Sequence, residues 1–416
     1  MRIRSFLPLS LPLLCFAAHA AVAQNVAALA STLDSLQREL AIPGMSAAVV
    51  QGDRTVWARG FGFADVAHRV PATEHTVYPI ASVTKPFAAT LFFKLLEQGK
   101  VTLDDPLSKY SKDFQTDRVR IRHIMTHTAA AFAPGARPGD QYAYSGSFYG
   151  YLTLVIAQAS GMGFRKFLTD SILDPLGMTE SVPGHDVYGS RASADSVSAA
   201  NRDRYGESLT RLAVPYLLIG DRNYVASYPP PGINSAAGLL STVLDLAKFD
   251  VALDHNALLR PETQQLAWTN QRTNGGAEIP YGFGWFVQQV HGERVVWHYG
   301  QWPMFSGLFL KLPDRHLTFI LLANSTGLSA PFDLENGDIL KSPFAVAFLR
   351  SIAGTQLAGS VDDDAALSIH AYREARRTTA RKPGLSSIRR AAELVRAHLH
   401  CWQRQPRFRG DGAAPA

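Results

Sequence analysis

The sequence predicts an α/β fold: one antiparallel sheet built from both ends of the domain and flanked by helices, with a mostly helical insertion at about residues 103–230. Three observations predict it. Strand-like runs open the body, at residues 45–50 and 54–60. They return near its end, at residues 284–289, 294–298, 306–312 and 318–323. Between them the pattern changes to helices and long loops, which suggests one sheet completed by both ends of the body, with a helical insertion.

Each element has a local reason. Leu33, Leu36 and Leu40 recur at helical spacing, so residues 25–40 read as a helix, ended by Ile42-Pro43-Gly44. The turn Gln51-Gly52-Asp53 joins the first two strands. Residues 82–98 form a second helix: Phe87, Leu91 and Leu95 share one side, and Gly99 suits the position after its end. Pro86 falls in its first turn, where a missing N–H costs little. Residues 148–160 form an apolar helix closed by Gly161, and residues 239–252 read as another. Residues 192–222 are polar and carry no clear periodicity. Pro313-Asp314-Arg315 links the last two strands as a hairpin.

Composition narrows the function classes. The chain has 416 residues, 46% hydrophobic and 18% charged, which suits a substantial core and argues against wholesale disorder. The net charge of +6 is unevenly spread. Ten Arg and one Lys against three acids give residues 371–416 a charge of +8, Arg2 and Arg4 add +2, and the body between them is −4. A mildly acidic body is a poor match for a phosphate-binding surface, so no nucleic-acid partner is expected.

Residues 1–23 read as a secretory signal. Arg2 and Arg4 form a basic start, an apolar stretch follows from Phe6 to Ala18, and Ala21-Val22-Ala23 is a small-x-small site, with Ala18-His19-Ala20 a second candidate; the alternative is a retained N-terminal anchor, for which the apolar run is short. The expected product is exported, periplasmic or secreted, with its folded domain at residues 24–355. Cys15 leaves with the signal, so Cys401 has no partner and no disulfide framework is expected. Residues 356–416 form a basic tail. Ile388, Ala392, Val395, Leu399 and Trp402 share a helical face, which could touch a membrane or wall polymer. The short helix and Arg/Pro/Gly-rich flanks favour a solvated appendage instead.

The chemistry centres on Ser82-Val83-Thr84-Lys85 at a helix start. Positions i and i+3 lie on one helix face, so the serine hydroxyl and the lysine amine can meet. A serine hydroxyl needs a neighbouring base to take its proton, and a helix N-terminus offers free N–H groups to an oxyanion. A bare S-x-x-K occurs by chance. Two further elements change its weight: Tyr142-Ala143-Tyr144-Ser145-Gly146 before an apolar helix, and Trp297-His298-Tyr299-Gly300-Gln301 at the end of a strand.

With these three elements in this order, the chain resembles the penicillin-recognising serine hydrolases: class C β-lactamases, D-alanyl-D-alanine carboxypeptidases and their esterase relatives. Secondary matches include Leu103-Asp104-Asp105-Pro106-Leu107, Ile124-Met125-Thr126-His127-Thr128, Asp174-Pro175-Leu176-Gly177-Met178, Ala237-Gly238-Leu239-Leu240-Ser241-Thr242 and Tyr281-Gly282-Phe283-Gly284-Trp285. The resemblance implies a β-lactamase-like fold and an acyl-enzyme on Ser82, with no metal and no organic cofactor. Lys85 and Tyr144 would share the general-base work. The N–H groups of Ser82 and Gln301 would form the oxyanion hole. His298 would line the cleft where other members have lysine, and Gly300 would admit the backbone of a small-molecule or peptide substrate.

Two departures bear on the substrate. The family's Y-x-N reads Tyr144-Ser145-Gly146, so the asparagine that contacts the substrate amide is missing, and its Thr-Ser-Gly loop reads Thr128-Ala129-Ala130. Both favour an esterase-like activity over β-lactam hydrolysis. The alternative is a penicillin-binding or sensing protein of the same fold with impaired turnover. His123 and His127, at i and i+4, could ligate a metal on a helix, but no third ligand follows in register, so a loop-anchoring pair is expected.

Overall fold

The central sheet follows from strands that are apolar on both faces. Leu317, Phe319, Leu321 and Ala323 pack into one core, while Ile320 and Leu322 from the same strand pack into another. Successive side chains leave opposite faces of a strand, so such a strand is stable only with a layer on each side. The computed structural model describes residues 11–130, 135–187, 197–219, 222–230, 232–357, 369–372 and 374, with side chains from residue 25 onward. The tail helix expected around residues 388–402, and Arg2 and Arg4, lie outside the described residues.

In chain order the strands are β1 (Gly44–Gln51), β2 (Arg54–Asp65), β3 (Val70–Pro71), β4 (Tyr78–Pro79), β5 (Val182–Pro183), β6 (Tyr216–Ile219), β7 (Arg222–Val225), β8 (Leu239–Ser241), β9 (Phe286–Val290), β10 (Glu293–Trp302), β11 (Phe305–Leu312) and β12 (Leu317–Ala323). Seven of them form one antiparallel sheet in the order β3-β2-β1-β12-β11-β10-β9. β1 and β12 pair at its centre, from Met45 opposite Ala323 to Gln51 opposite Leu317. The two ends of the domain therefore complete one sheet, as expected.

Helices α1 (Leu11–Glu39) and α10 (Pro343–Ser351) cover one face. Leu29, Leu33, Leu36, Phe344 and Phe348 fill that layer. α1 runs without a break across Ala21-Val22-Ala23. The other face carries α2 (Thr84–Glu97), the insertion helices α3 (Ile121–Met125), α4 (Gly146–Gly150), α5 (Leu152–Ser160) and α6 (Phe164–Leu168), then α8 (Val243–Asp254) and α9 (Pro261–Ala267), while α7 (Ala199–Leu209) packs in a smaller cluster with Val77, Val182 and Leu240.

Three local expectations are corrected. The helix expected over 239–252 begins only at Val243. Leu239–Ser241 is a strand, paired with Tyr78–Pro79 and Val182–Pro183, and Thr242 caps the helix by accepting the Asp245 N–H at 3.1 Å. The helix expected over 148–160 is two pieces, α4 and α5, which meet at Tyr151. The insertion also carries short strands: β5 lies within it, and β6 and β7 form a hairpin.

One buried ion cluster ties the layers together. Lys311 on β11 is fully buried and pairs with Asp250 at 2.9 Å and Asp254 at 2.7 Å, both on α8; Thr318 on β12 donates to Asp250 at 2.8 Å. Removing one partner of a buried pair leaves an uncompensated charge. Lys311→Met should therefore lower unfolding free energy by about 3–5 kcal/mol. Urea titration measures it; a loss below about 1 kcal/mol would show that solvent or repacking satisfies the two carboxylates.

Candidate active site

The chain enters α2 through a tight turn at Ala81–Val83. Ala81 is fully buried and has a φ of 49°. Left-handed backbone is costly for a residue with a Cβ and persists only where packing imposes it. The packing here comes from β10. A Cβ on Gly300 would collide with the Ile80 carbonyl and lie 3.4 Å from the Ala81 Cβ. The glycine thus lets β10 close onto the turn that carries Ser82. Gly300 was expected to admit a substrate backbone; the close approach it permits is to the protein's own backbone.

Ser82 is partly exposed, and Lys85, one turn later, is fully buried. The Lys85 Nζ donates to Ser82 Oγ at 2.7 Å and to the Ala236 carbonyl at 3.1 Å. That carbonyl is fixed by an Asx turn in which Asn234 Oδ1 accepts the N–H groups of Ala236 at 2.8 Å and Ala237 at 3.2 Å. The Tyr144 and Tyr149 rings lie 5.0 and 5.5 Å from the amine. Among the described residues Lys85 makes no ion pair, and burial lowers its pKa to about 7. An amine near neutrality can accept a proton from the hydroxyl it touches.

Tyr144 sits between turn and helix, its ring packed among His127, Phe286 and Tyr299. Its hydroxyl is buried beside the Ser82 side chain, with no close hydrogen bond of good geometry among the described residues. Burial raises this phenol far above its ordinary value; the adjacent Ser82 pulls it down, and the Glu335 carboxylate pushes it further up. The phenol is therefore neutral near pH 7. Gly146, at the start of α4, has open space where a Cβ would stand and no left-handed φ.

The edge of β10 presents Gln301. β9 pairs only as far as Trp297, opposite Phe286. Two residues separate Trp302 from its partner Phe305, so in an antiparallel pair Trp302, Gly300 and His298 exchange bonds with β11. The N–H groups of Tyr299 and Gln301 face the edge that β9 leaves uncovered. Gly300 holds this stretch against the turn bearing Ser82.

His298 departs from expectation. Its ring is fully buried; Nδ1–H donates to the Tyr299 carbonyl at 2.6 Å and Nε2 accepts the Tyr281 hydroxyl at 2.9 Å. Neither nitrogen is left for a substrate, and burial together with Lys85 holds the imidazole neutral. His123 and His127 each anchor local backbone: His123 Nδ1 accepts the Arg120 N–H, and His127 Nδ1 accepts the Ser145 N–H, both at 3.1 Å. Among the described residues no group of three or more His, Cys, Asp or Glu is placed to hold a metal. Sequence reasoning did not identify the Ala236 carbonyl as a lysine partner, or Tyr149 and Tyr281 as walls of the site; Tyr281 lay within a quoted motif, which was the available signal.

Residues 29–342 match the family model described as Beta-lactamase. The chain belongs to the beta-lactamase family. It is 27% identical over 308 residues to Penicillin-binding protein 4* of Bacillus subtilis, covering 66% of this chain and 66% of that relative's length. Among solved structures, the octameric penicillin-binding protein homologue from Pyrococcus abyssi aligns with a TM-score of 0.64 at 24% identity, covering 80% of this chain and 78% of that one. A class C beta-lactamase aligns with a TM-score of 0.63 at 18% identity, covering 80% and 98%. These likenesses fix the fold, and the chain spans 66% or less of the length of the curated relatives it matches, 62% for Protein flp of Staphylococcus aureus.

The Lys85 geometry sets a pH dependence. Below about 7 the amine is protonated and cannot take the Ser82 proton; above it the lone pair is free. For a beta-lactamase-family site with this base, kcat/KM on an activated ester should fall about tenfold per pH unit on the acid side and level off above about pH 8. A profile flat from about pH 5 to pH 8 would show that the amine is not the titrating base.

Proposed function

We propose that this protein is an exported serine hydrolase that cleaves esters, with Ser82 as nucleophile, Lys85 as general base, Tyr144 as proton relay, and the Ser82 and Gln301 N–H groups as the oxyanion hole. The observation that carries the reading is the 2.7 Å contact between Ser82 Oγ and a fully buried lysine whose pKa is lowered to about 7. Lys85 takes the Ser82 proton as the Oγ–C bond forms and the carbonyl oxygen becomes an oxyanion. Collapse expels the alcohol, which receives the proton through the neutral Tyr144 phenol. Water then attacks the acyl-enzyme by the same route in reverse, releasing the acid and restoring Ser82.

The ester preference has three supports. Gly146 offers no amide to an amide substrate. The histidine standing where relatives carry lysine is neutral and fully engaged, so it supplies no cation to a substrate carboxylate. The exposed Glu335 carboxylate, screened by solvent, adds a weak negative potential around Tyr142, Tyr144 and Tyr299 that points the same way, against anionic acyl donors such as penicillins. Amide and β-lactam carbonyls also need tighter positioning than an activated ester. Export rests on the basic, apolar and small-x-small pattern of residues 1–23 and is read by N-terminal sequencing of the protein from the cell envelope and medium.

Two measurements test the reading. Intact mass after fluorophosphonate treatment should show one adduct, abolished by Ser82→Ala; an adduct that survives the substitution places the nucleophile elsewhere. Side-by-side kcat/KM on p-nitrophenyl butyrate and a chromogenic cephalosporin should favour the ester, and Gly146→Asn should shift the ratio toward the cephalosporin by about tenfold or more. A wild-type preference for the cephalosporin would show that the missing amide is not what sets the substrate.

A further inference from the structure

We propose that His127 is a positioning residue for the Tyr144 phenol, clamping the peptide on both sides of it. The inference rests on the reading of Tyr144 as part of the acyl-transfer machinery. The Ala143 N–H donates to the His127 carbonyl at 2.8 Å, and the Ser145 N–H donates to its Nδ1 at 3.1 Å. Tyr144 is the residue between these two bonds. The His127 ring packs on the Tyr144 ring at a centroid distance of 4.2 Å and a tilt of 37°. One residue therefore fixes the backbone before Tyr144, the backbone after it, and a face of its ring.

The clamp matters because the phenol is held only weakly by its polar end. Among the described residues the Tyr144 hydroxyl makes no close hydrogen bond and meets only the Ser82 side chain that it serves, so its place is set chiefly by backbone and ring packing. Misplacing a reacting group by about 1 Å can cost about a hundredfold in rate. His127 itself is held in a costly conformation: it is 1% exposed and has a φ of 57°. A left-handed residue with a large side chain is kept where the surroundings over-determine it. Here the neighbouring backbone does so, since Thr128 donates to the His123 carbonyl and accepts the Gly139 N–H, both at 2.8 Å.

The ring's protonation follows from its partners. Nδ1 accepts, so the neutral imidazole carries its proton on Nε2, which is buried and without a partner. The rings of Tyr149 and Tyr281 lie 5.4 and 4.7 Å away. His127 makes no hydrogen bond to Ser82, Lys85 or Tyr144, so it acts through Tyr144 and not in the proton transfer.

The test compares His127→Gly, His127→Asn, Tyr144→Phe and the double variant His127→Gly/Tyr144→Phe on p-nitrophenyl butyrate, with folding checked by thermal melts. Glycine keeps the left-handed backbone and removes the ring. Asparagine tolerates the same backbone and returns an acceptor near the Nδ1 position. His127→Gly should lower kcat about tenfold or more while KM moves less than about threefold, and His127→Asn should recover most of the loss. On the Tyr144→Phe background, His127→Gly should cost less than about twofold more, because the group it positions is gone. The inference fails if His127→Gly stays within about threefold of wild type, if asparagine is as damaging as glycine, or if the two losses multiply. If His127→Gly does not fold, His127→Ala on both backgrounds carries the same comparison. A harmless Tyr144→Phe would instead overturn the role given to Tyr144, whichever way His127 behaves.

Discussion

Taking the Lys85 amine out of water is the constraint on which the rest of the site depends. A charged ammonium in a low-dielectric setting is disfavoured unless a counter-charge compensates it. The protein supplies two hydrogen bonds, to Ser82 and the Ala236 carbonyl, and two tyrosine rings, but no carboxylate. The same face of the same sheet holds a second fully buried lysine, Lys311, whose charge is met by Asp250 and Asp254. The two lysines are opposite solutions to one problem. Lys311 is matched by charge and serves packing. Lys85 is left unmatched, so its pKa falls toward neutrality and it can serve as a base.

The surroundings of Lys85 follow from that need. Excluding water from the amine requires close packing at the start of α2, and β10 provides it by laying Gly300 on Ile80 and Ala81. The same strand turns the Gln301 N–H toward the edge that β9 leaves uncovered. Tyr144, Tyr149, Tyr281 and Tyr299 then fill the space beside the amine and strand with rings that bring bulk without charge. The dry environment that lowers the lysine also raises the tyrosines. The proposed base and the proposed relay are thus separated by one cause acting on an amine and a phenol in opposite directions.

Much of this was legible in the sequence, and what was not shares a physical reason. Ser82 and Lys85 were readable because a helix turn brings them together from four consecutive residues. The strands were readable from apolar runs and short turns, and their joining into one sheet from their placement at both ends of the body. Leu239–Ser241 was misread because its apolar residues fit a helix as well as a strand, and its partners Tyr78–Pro79 and Val182–Pro183 are remote in the chain. The tasks of Gly300 and His298 depend on Ile80 and Tyr281, whose nearness no local pattern encodes. His127 showed an i, i+4 relation to His123, which pointed to anchoring but not to what is anchored.

The site is also where the fold gives up stability. Lys85 has an ordinary pKa in the unfolded chain and one near 7 in the folded protein, so between about pH 7 and 10 the unfolded state binds the extra proton. Stability from this group therefore rises with pH through that window, and below about 7 the full cost of burying an ammonium remains, on the order of several kcal/mol. Ala81 and His127 add left-handed backbone, and the Tyr144 hydroxyl and His127 Nε2 add buried polar atoms that are poorly satisfied among the described residues. Each costs of order 1–3 kcal/mol in typical cases. These features cluster within one patch around Ser82, while both apolar layers of the sheet offset them. A protein shaped for stability alone would have matched Lys85 as it matched Lys311; leaving it unmatched is what, on the proposed reading, lets the amine take the proton of the hydroxyl beside it.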